Sequence, residues 1–216
     1  MIKVHKLTFN PFQENTYILS DETNDAVIID PGCYERNEQS FLIDYIDKNQ
    51  LNPVKLVNTH CHIDHILGNF FVANKYKLGL GIHKDDLGTL NAVANYAHVY
   101  GFEAYQISPE PAYFINEGED FTFGNSTLKI IFGPGHAPGH IAFYSEKDSF
   151  VINGDILFQG SFGRTDLPGG DFNVLKKTIL ETMFALPENT VVYCGHGGET
   201  TIGAEKKNNP IRFMEG

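Results

Sequence analysis

The stretch Thr59-His60-Cys61-His62-Ile63-Asp64-His65 places three imidazoles and a carboxylate within six residues, directly after the largely apolar run from Val54 to Val57. Titratable groups at the end of a buried strand are costly unless paired or coordinated. Neutral imidazole with ionised carboxylate is the ligand set of zinc, iron or manganese rather than of calcium or magnesium. The chemistry implied is therefore metal binding. His60 and His62 lie two apart, so in extended chain they share a face and can hold one cation together while Cys61 points away. Asp64 and His65 follow a turn and are expected to serve a second cation.

Further candidates follow apolar strands downstream. Leu128 to Phe132 runs into Gly133-Pro134-Gly135-His136, Ser149 to Asn153 into Gly154-Asp155, and Thr190 to Cys194 into Gly195-His196. With the expected strand 54–59 ahead of His60, four strands carry metal-binding groups at their C-terminal ends, which is sensible if those ends meet along one rim of packed sheets. The candidate ligands are His60, His62, Asp64, His65, His136, Asp155 and His196. Cys61 and Cys194 stand beside ligands, but strand alternation turns each away, so both are expected to be small buried apolar groups. Asp30, after Val27-Ile28-Ile29, is expected to organise the site from behind or to cap a turn. His140 is expected to pack structurally rather than to ligate. His5, His83 and His98 have no motif around them. The loop 160–170 is glycine-rich without phosphate-loop spacing. Its Arg164 either holds a substrate carboxylate or pairs with Asp166 or Asp171.

The elements that must position these residues are partly readable. Residues 2–9, 15–20 and 26–30 have the character of short strands in an antiparallel opening, and 36–50 of an amphipathic helix carrying Phe41, Leu42, Tyr45 and Ile46. A helix from His65 to about Lys77 and a short strand at 80–82 are expected next. The region 84–116 is the least patterned, with helical pieces over 85–100 and a connection through Pro109 and Pro111. Phe172, Leu175, Ile179, Met183 and Leu186 recur at helical spacing within 171–186. The economical arrangement is one domain, 1–216, with helices outside two central sheets.

Composition narrows the partners. The 216 residues are 42% hydrophobic and 20% charged, an ordinary globular balance, and Lys plus Arg number 16 against 27 Asp plus Glu, a formal charge of −11. No basic cluster tracks a phosphate backbone, so nucleic acid is not an expected partner. Two divalent ions with two ligand aspartates and a hydroxide would still leave about one positive charge at the site, compatible with an anionic small substrate. Cys33, Cys61 and Cys194 show no paired spacing, which fits a reducing compartment. Neither a targeting segment nor a membrane-spanning run is evident, so a soluble cytoplasmic protein without a membrane partner is expected.

Taken together, His60-Cys61-His62-Ile63-Asp64-His65, His136, Asp155 and His196, with Asn15-Thr16-Tyr17, Asp30-Pro31-Gly32 and Gly195-His196-Gly197, resemble the metallo-β-lactamase superfamily in its glyoxalase II-like branch. The resemblance implies an α/β fold of the αββα sandwich type, two mixed sheets with two metal ions at their shared edge. It places His60, His62 and His136 on the first ion and Asp64, His65 and His196 on the second. Asp155 would bridge them with a water. Zinc is the expected metal, with iron or manganese as the other choices. Secreted β-lactamases of this superfamily generally carry a cysteine where Asp155 stands, and its tRNA-processing nucleases are usually longer. Full-length glyoxalase II continues into a helical region that grips glutathione, whereas 20 residues follow His196 here. The segment Gly163-Arg164-Thr165-Asp166 with Pro168-Gly169-Gly170 is similar to the short bacterial-type proteins of that branch. The expected activity is hydrolysis of a thioester such as a hydroxyacylglutathione by a metal-bridging hydroxide. The first ion would polarise the carbonyl and the second would stabilise the leaving thiolate. Asp64 would orient the hydroxide or take its proton, and Asp155 would fix the ion separation. The alternative is a persulfide dioxygenase using one iron, with His60, His136 and Asp155 regrouped around it.

Overall fold

The computed structural model describes residues 1–214. The chain opens with strands β1 (Lys3–Phe9), β2 (Glu14–Ser20) and β3 (Asp25–Ile29), then helix α1 (Arg36–Lys48), strand β4 (Asn52–Val57), helices α2 (Ile63–Ile66) and α3 (Asn69–Tyr76), strand β5 (Leu80–Ile82), helix α4 (Leu87–Tyr96) and strand β6 (Pro111–Phe114). Strands β1 to β6 form one sheet in sequence order. Its first three strands are antiparallel, and β3 to β6 run parallel. The second sheet uses β7 (Asp120–Phe123), β8 (Ser126–Phe132), β9 (Ile141–Ser145), β10 (Phe150–Gly154), β13 (Val191–Cys194) and β14 (Thr200–Thr201) in the order β14-β13-β10-β9-β8-β7. A small hairpin of β11 (Leu157–Phe158) and β12 (Ser161–Phe162), helix α5 (Phe172–Lys177) and helix α6 (Ile202–Asn208) complete it.

Side-chain alternation decides how the sheets stack. Tyr17, Leu19, Val27, Ile29 and Val57 of the first sheet meet Phe121, Leu128, Ile130, Ile141, Phe143 and Ile152 of the second in one buried layer. The intervening residues Ile18, Ala26, Ile28 and Leu56 face the other way, onto Leu42, Ile46, Ile66, Val72 and Val93 of the helices. Likewise Ala142, Tyr144, Val151 and Val192 pack on Leu175, Ile179, Met183 and Ile202. With both faces of each sheet covered, the central strands are apolar throughout, as buried sheets must be. The architecture is thus the expected αββα sandwich.

Some boundaries differ from the sequence expectation. The fourth strand ends at Val57, so His60 and His62 sit beyond it in irregular chain. The helix expected after His65 starts earlier, at Ile63, and is split before α3. The break lies at Gly68, whose N–H donates to Pro31 O at 2.7 Å and whose position leaves no room for a side chain beside Cys33. The helical spacing over 171–186 gives α5, a wide π-type turn through Thr182 and a short 3-10 turn, rather than one regular helix.

The two sheets are tied at the edge where their strands end. The Tyr17 hydroxyl donates to Cys194 O (2.7 Å), the Asn15 amide side chain donates to Cys194 O and Gly197 O (both 3.0 Å), and the Asn15 backbone N–H donates to Gly195 O (2.7 Å). These bonds hold the turn that carries His196 against β2. Replacing Asn15 by Ala removes three side-chain hydrogen bonds, to Cys194 O, Gly197 O and the Thr8 hydroxyl, and is expected to cost about 2–3 kcal/mol in urea unfolding. A loss below about 0.5 kcal/mol would show that the clamp contributes nothing.

Candidate metal centre

Every candidate ligand lies past the C-terminal end of a strand. His60 to His65 follow β4, His136 follows β8, Asp155 follows β10 and His196 follows β13, so the rim expected from sequence exists. Two turns in it require glycine. Gly154 has φ +52° and a Cβ there would fall 2.5 Å from Thr59 Oγ1, while Gly135, at φ +122°, lies against the backbone of Leu175. Each glycine lets its neighbour, Asp155 or His136, turn back toward the rim.

One group gathers His60, His62 and His136, all buried. His62 Nδ1 lies 2.8 Å from His136 Nε2, which lies 3.2 Å from His60 Nε2. Burial, reinforced for His60 and His62 by the neighbouring imidazoles, pushes all three pKa values down, that of His62 to about 3. The rings are therefore neutral, with nitrogens converging on one point. Their far sides are tied down. His136 Nδ1 donates to Arg164 O (2.7 Å). The Thr59 hydroxyl gives its proton to Asp30 Oδ2 (2.6 Å), so it accepts from His60 Nδ1 at 3.1 Å. Both bonds put the ring proton on Nδ1 and leave the Nε2 lone pair aimed at the cluster, the tautomer a metal ligand needs.

The second group is Asp64, His65 and His196. Asp64 Oδ2 lies 3.1 Å from His196 Nε2 and 3.7 Å from His65 Nε2. Here too the far nitrogens are anchored: His65 Nδ1 by Asp30 Oδ2 at 3.1 Å, and His196 Nδ1 by Phe12 O at 3.1 Å. Burial opposes charge on His65, but Asp64 and Asp155 outweigh it and raise its pKa well above the usual value. The two carboxylates thus demand a positive partner, whether proton or metal. Asp155 lies between the groups, Oδ2 3.6 Å from His136 Nε2 and 3.5 Å from His196 Nε2, Oδ1 3.5 Å from His65 Nε2. Among the described residues, neither His65 Nε2 nor Asp155 Oδ1, both buried, has a hydrogen-bond partner. Orphaned lone pairs among converging imidazoles and carboxylates fit a pair of divalent cations.

A third combination, Asp30 with His60 and His65, is also close enough to hold an ion. Asp30 is already saturated, accepting from the Thr59 N–H (2.7 Å), the Thr59 hydroxyl (2.6 Å) and His65 Nδ1 (3.1 Å). It orients the ligands from behind, and its φ of +52° is the strained geometry that aims it there. His140, expected merely to pack, has a more specific place. Its ring stacks on His60 at 4.6 Å, and its Nε2 accepts the Asp155 N–H at 3.0 Å, which fixes the turn presenting that carboxylate. Cys61 and Cys194 are buried, and burial raises both thiols, Cys194 to about 12, which leaves them inert as expected. Arg164 takes the ion-pair option with Asp166, at 2.7 and 2.6 Å, on an exposed loop.

Two residues lie outside the sequence expectation. Asp86 accepts the Cys61 N–H (2.5 Å) and the Gly139 N–H (3.1 Å), joining the His60–His62 segment to the loop that carries His136. Glu14 is fully buried, 3.8 Å from His65 Nδ1, and burial drives its pKa well up.

The described helices include none long and apolar enough to cross a membrane. Comparison with known proteins agrees with this geometry. The sequence model of the metallo-beta-lactamase superfamily matches residues 9–196. The hydroxyacylglutathione hydrolase GloC of Haemophilus influenzae is 33% identical over 201 residues, 93% of each chain. Among solved structures, BLEG-1, described as a B3 metallo-beta-lactamase, superposes with a TM-score of 0.87 at 33% identity over 100% of both chains. TTHA1623 in a di-iron-bound form gives 0.86 at 34% identity, over 98% of this chain and 100% of that one. With its sandwich, its rim of strand ends and its two ligand groups, this chain belongs to the metallo-beta-lactamase superfamily.

Proposed function

We propose that the protein is a metal-dependent hydrolase of small thioesters. The observation that carries this reading is the pair of three-ligand groups joined by Asp155, in which His65 Nε2 and Asp155 Oδ1 are buried without a hydrogen-bond partner among the described residues. His60, His62 and His136 would hold one ion, Asp64, His65 and His196 the other, with Asp155 touching both groups. Two divalent ions at such a site supply water activation near neutral pH and polarisation of a carbonyl. Zinc suits the imidazole and carboxylate set, and the di-iron form of TTHA1623 shows that a relative accepts iron.

The chain's own residues supply the rest. Asp64, partly open to solvent and 3.1 Å from His196 Nε2, would orient the attacking water or take its proton. Asp30, Thr59 and the Arg164 carbonyl keep the imidazole lone pairs inward through every turnover. Balanced over the reaction, water oxygen bonds to the acyl carbon, the carbon–sulfur bond breaks, and a carboxylate, a thiol and a proton are released. A thioester is favoured because GloC, similar over nearly the whole chain, is a hydroxyacylglutathione hydrolase. The B3 β-lactamase name of BLEG-1 supports a second reading, attack of water on a lactam carbonyl at the same centre. The charge of −11 argues for a small-molecule substrate rather than nucleic acid.

Two outcomes check this reading. Asp155→Ala is expected to retain its far-ultraviolet circular dichroism while losing at least about a thousandfold in kcat on a thioester panel. Undiminished turnover would remove Asp155 from the mechanism. Chelation is expected to abolish thioester hydrolysis and to lower the melting temperature, with zinc, iron or manganese restoring both. Full activity in the chelated protein would contradict metal dependence. Oxygen consumption with a persulfide, by protein holding a single iron, would instead favour the dioxygenase. A β-lactam in the same panel separates the lactamase.

A further inference from the structure

A cleft of about 910 Å³ opens directly onto the ligand groups, with His62, Asp64, His136, Asp155 and His196 at its floor. That volume suits a drug-sized molecule. One wall is aromatic. Tyr96 lies 5.8 Å from Tyr100, and Tyr100 6.0 Å from Phe12, ring to ring. Val99 completes this wall, and Phe158 and Phe162 of the small hairpin also line the cleft. Phe12, Val99 and Tyr100 are 41%, 72% and 50% exposed, so they are not buried in the core and instead offer apolar surface to whatever enters. Contiguous exposed apolar side chains around a concave site mark a ligand surface.

The charges of the cleft point the same way. Among its lining residues Arg164 is the one Lys or Arg, and its guanidinium is bound by both oxygens of Asp166. Asp85, also in the lining, adds a negative charge. Away from the ligand groups at the floor, a glutathione moiety, whose two carboxylates outnumber its one ammonium, would meet a single guanidinium already held by Asp166 and the Asp85 carboxylate, which lies 3.8 Å from His83 Nδ1. An alkyl or aryl group would meet the phenyl and phenol rings.

We propose that this cleft selects thioesters carrying a bulky uncharged apolar group, aryl or medium-chain alkyl, over anionic glutathione thioesters. The assignment rests on the thioester hydrolysis proposed above, but the ligand preference is measurable without turnover.

The test uses metal-replete protein and four substrates: S-acetyl-N-acetylcysteamine, S-phenylacetyl-N-acetylcysteamine, the acetyl thioester of benzyl mercaptan, and S-lactoylglutathione. At least one of the two apolar thioesters is expected to exceed both the small thioester and lactoylglutathione at least about tenfold in kcat/KM, the discrimination that added apolar contact supplies. Val99→Asp, at an exposed position, is expected to reduce that ratio at least about fivefold. Preference for lactoylglutathione, or equal rates on all four, overturns the apolar assignment while leaving a thioesterase. In parallel, calorimetry compares two inert thioethers, S-octyl-N-acetylcysteamine and S-methyl-N-acetylcysteamine. The octyl compound is expected to bind at least about tenfold more tightly, and less tightly to Val99→Asp than to the unaltered protein. If no thioester is hydrolysed yet this binding difference holds, the thioester reading fails and the apolar cleft stands. Equal binding of the two thioethers overturns the apolar assignment whatever the turnover.

Discussion

Nitrogen lone pairs that face one another inside a protein must be answered by something positive. His136 Nε2 lies within 2.8 Å of His62 Nδ1 and 3.2 Å of His60 Nε2, and burial holds all three rings neutral. A single shared proton relieves one such contact and leaves the others repulsive or unmet. Beside them Asp64 and Asp155 bring two carboxylates to His65 and His196. Placing so many acceptors together without a cation is expensive, whereas two cations satisfy them at once. The surrounding fold makes sense as the frame that keeps this arrangement from relaxing.

That frame works from behind the ligands. Asp30 reaches both groups, directly through His65 Nδ1 and through the Thr59 hydroxyl to His60. Asp86 ties the segment carrying His60 and His62 to the loop carrying His136, and His140 holds the Asp155 turn. Tyr17 and Asn15 then fix the His196 turn of one sheet against a strand of the other. Residues buried at these positions carry little of the chemistry and most of its geometry, and small displacements of the ligands would be felt in affinity and rate alike.

How much of this could be read from residues alone follows from distance along the chain. His60, His62, Asp64 and His65 are adjacent, and each remaining ligand follows an apolar strand and a glycine, so local pattern suffices to find them. Asp30 is flagged by the apolar run before it, but the choice between supporting the site and capping a turn needs its contact with Thr59, 29 positions away, and Asp86 is legible only through its contacts with Cys61 and, across 53 positions, Gly139. Strand β9 escapes notice for another reason. The equally buried β10 is marked by the glycine that ends it and the candidate ligand that follows, whereas β9 ends on Ser145 with no such mark. The region 84–116 is opaque because Val99 and Tyr100 are exposed, which breaks the apolar periodicity of a covering helix at the point where the cleft wall requires it. The superfamily resemblance does add the bridging place of Asp155, which spacing by itself does not supply.

The central claim is that the two ligand groups each hold a cation. Anomalous diffraction from crystals of the metal-replete protein tests it most directly. Two peaks are predicted, one at about 2.0–2.1 Å from nitrogens of His60, His62 and His136, the other at similar distances from Asp64, His65 and His196, with Asp155 reaching both. A single peak, or density centred among Asp30, His60 and His65, would contradict the account.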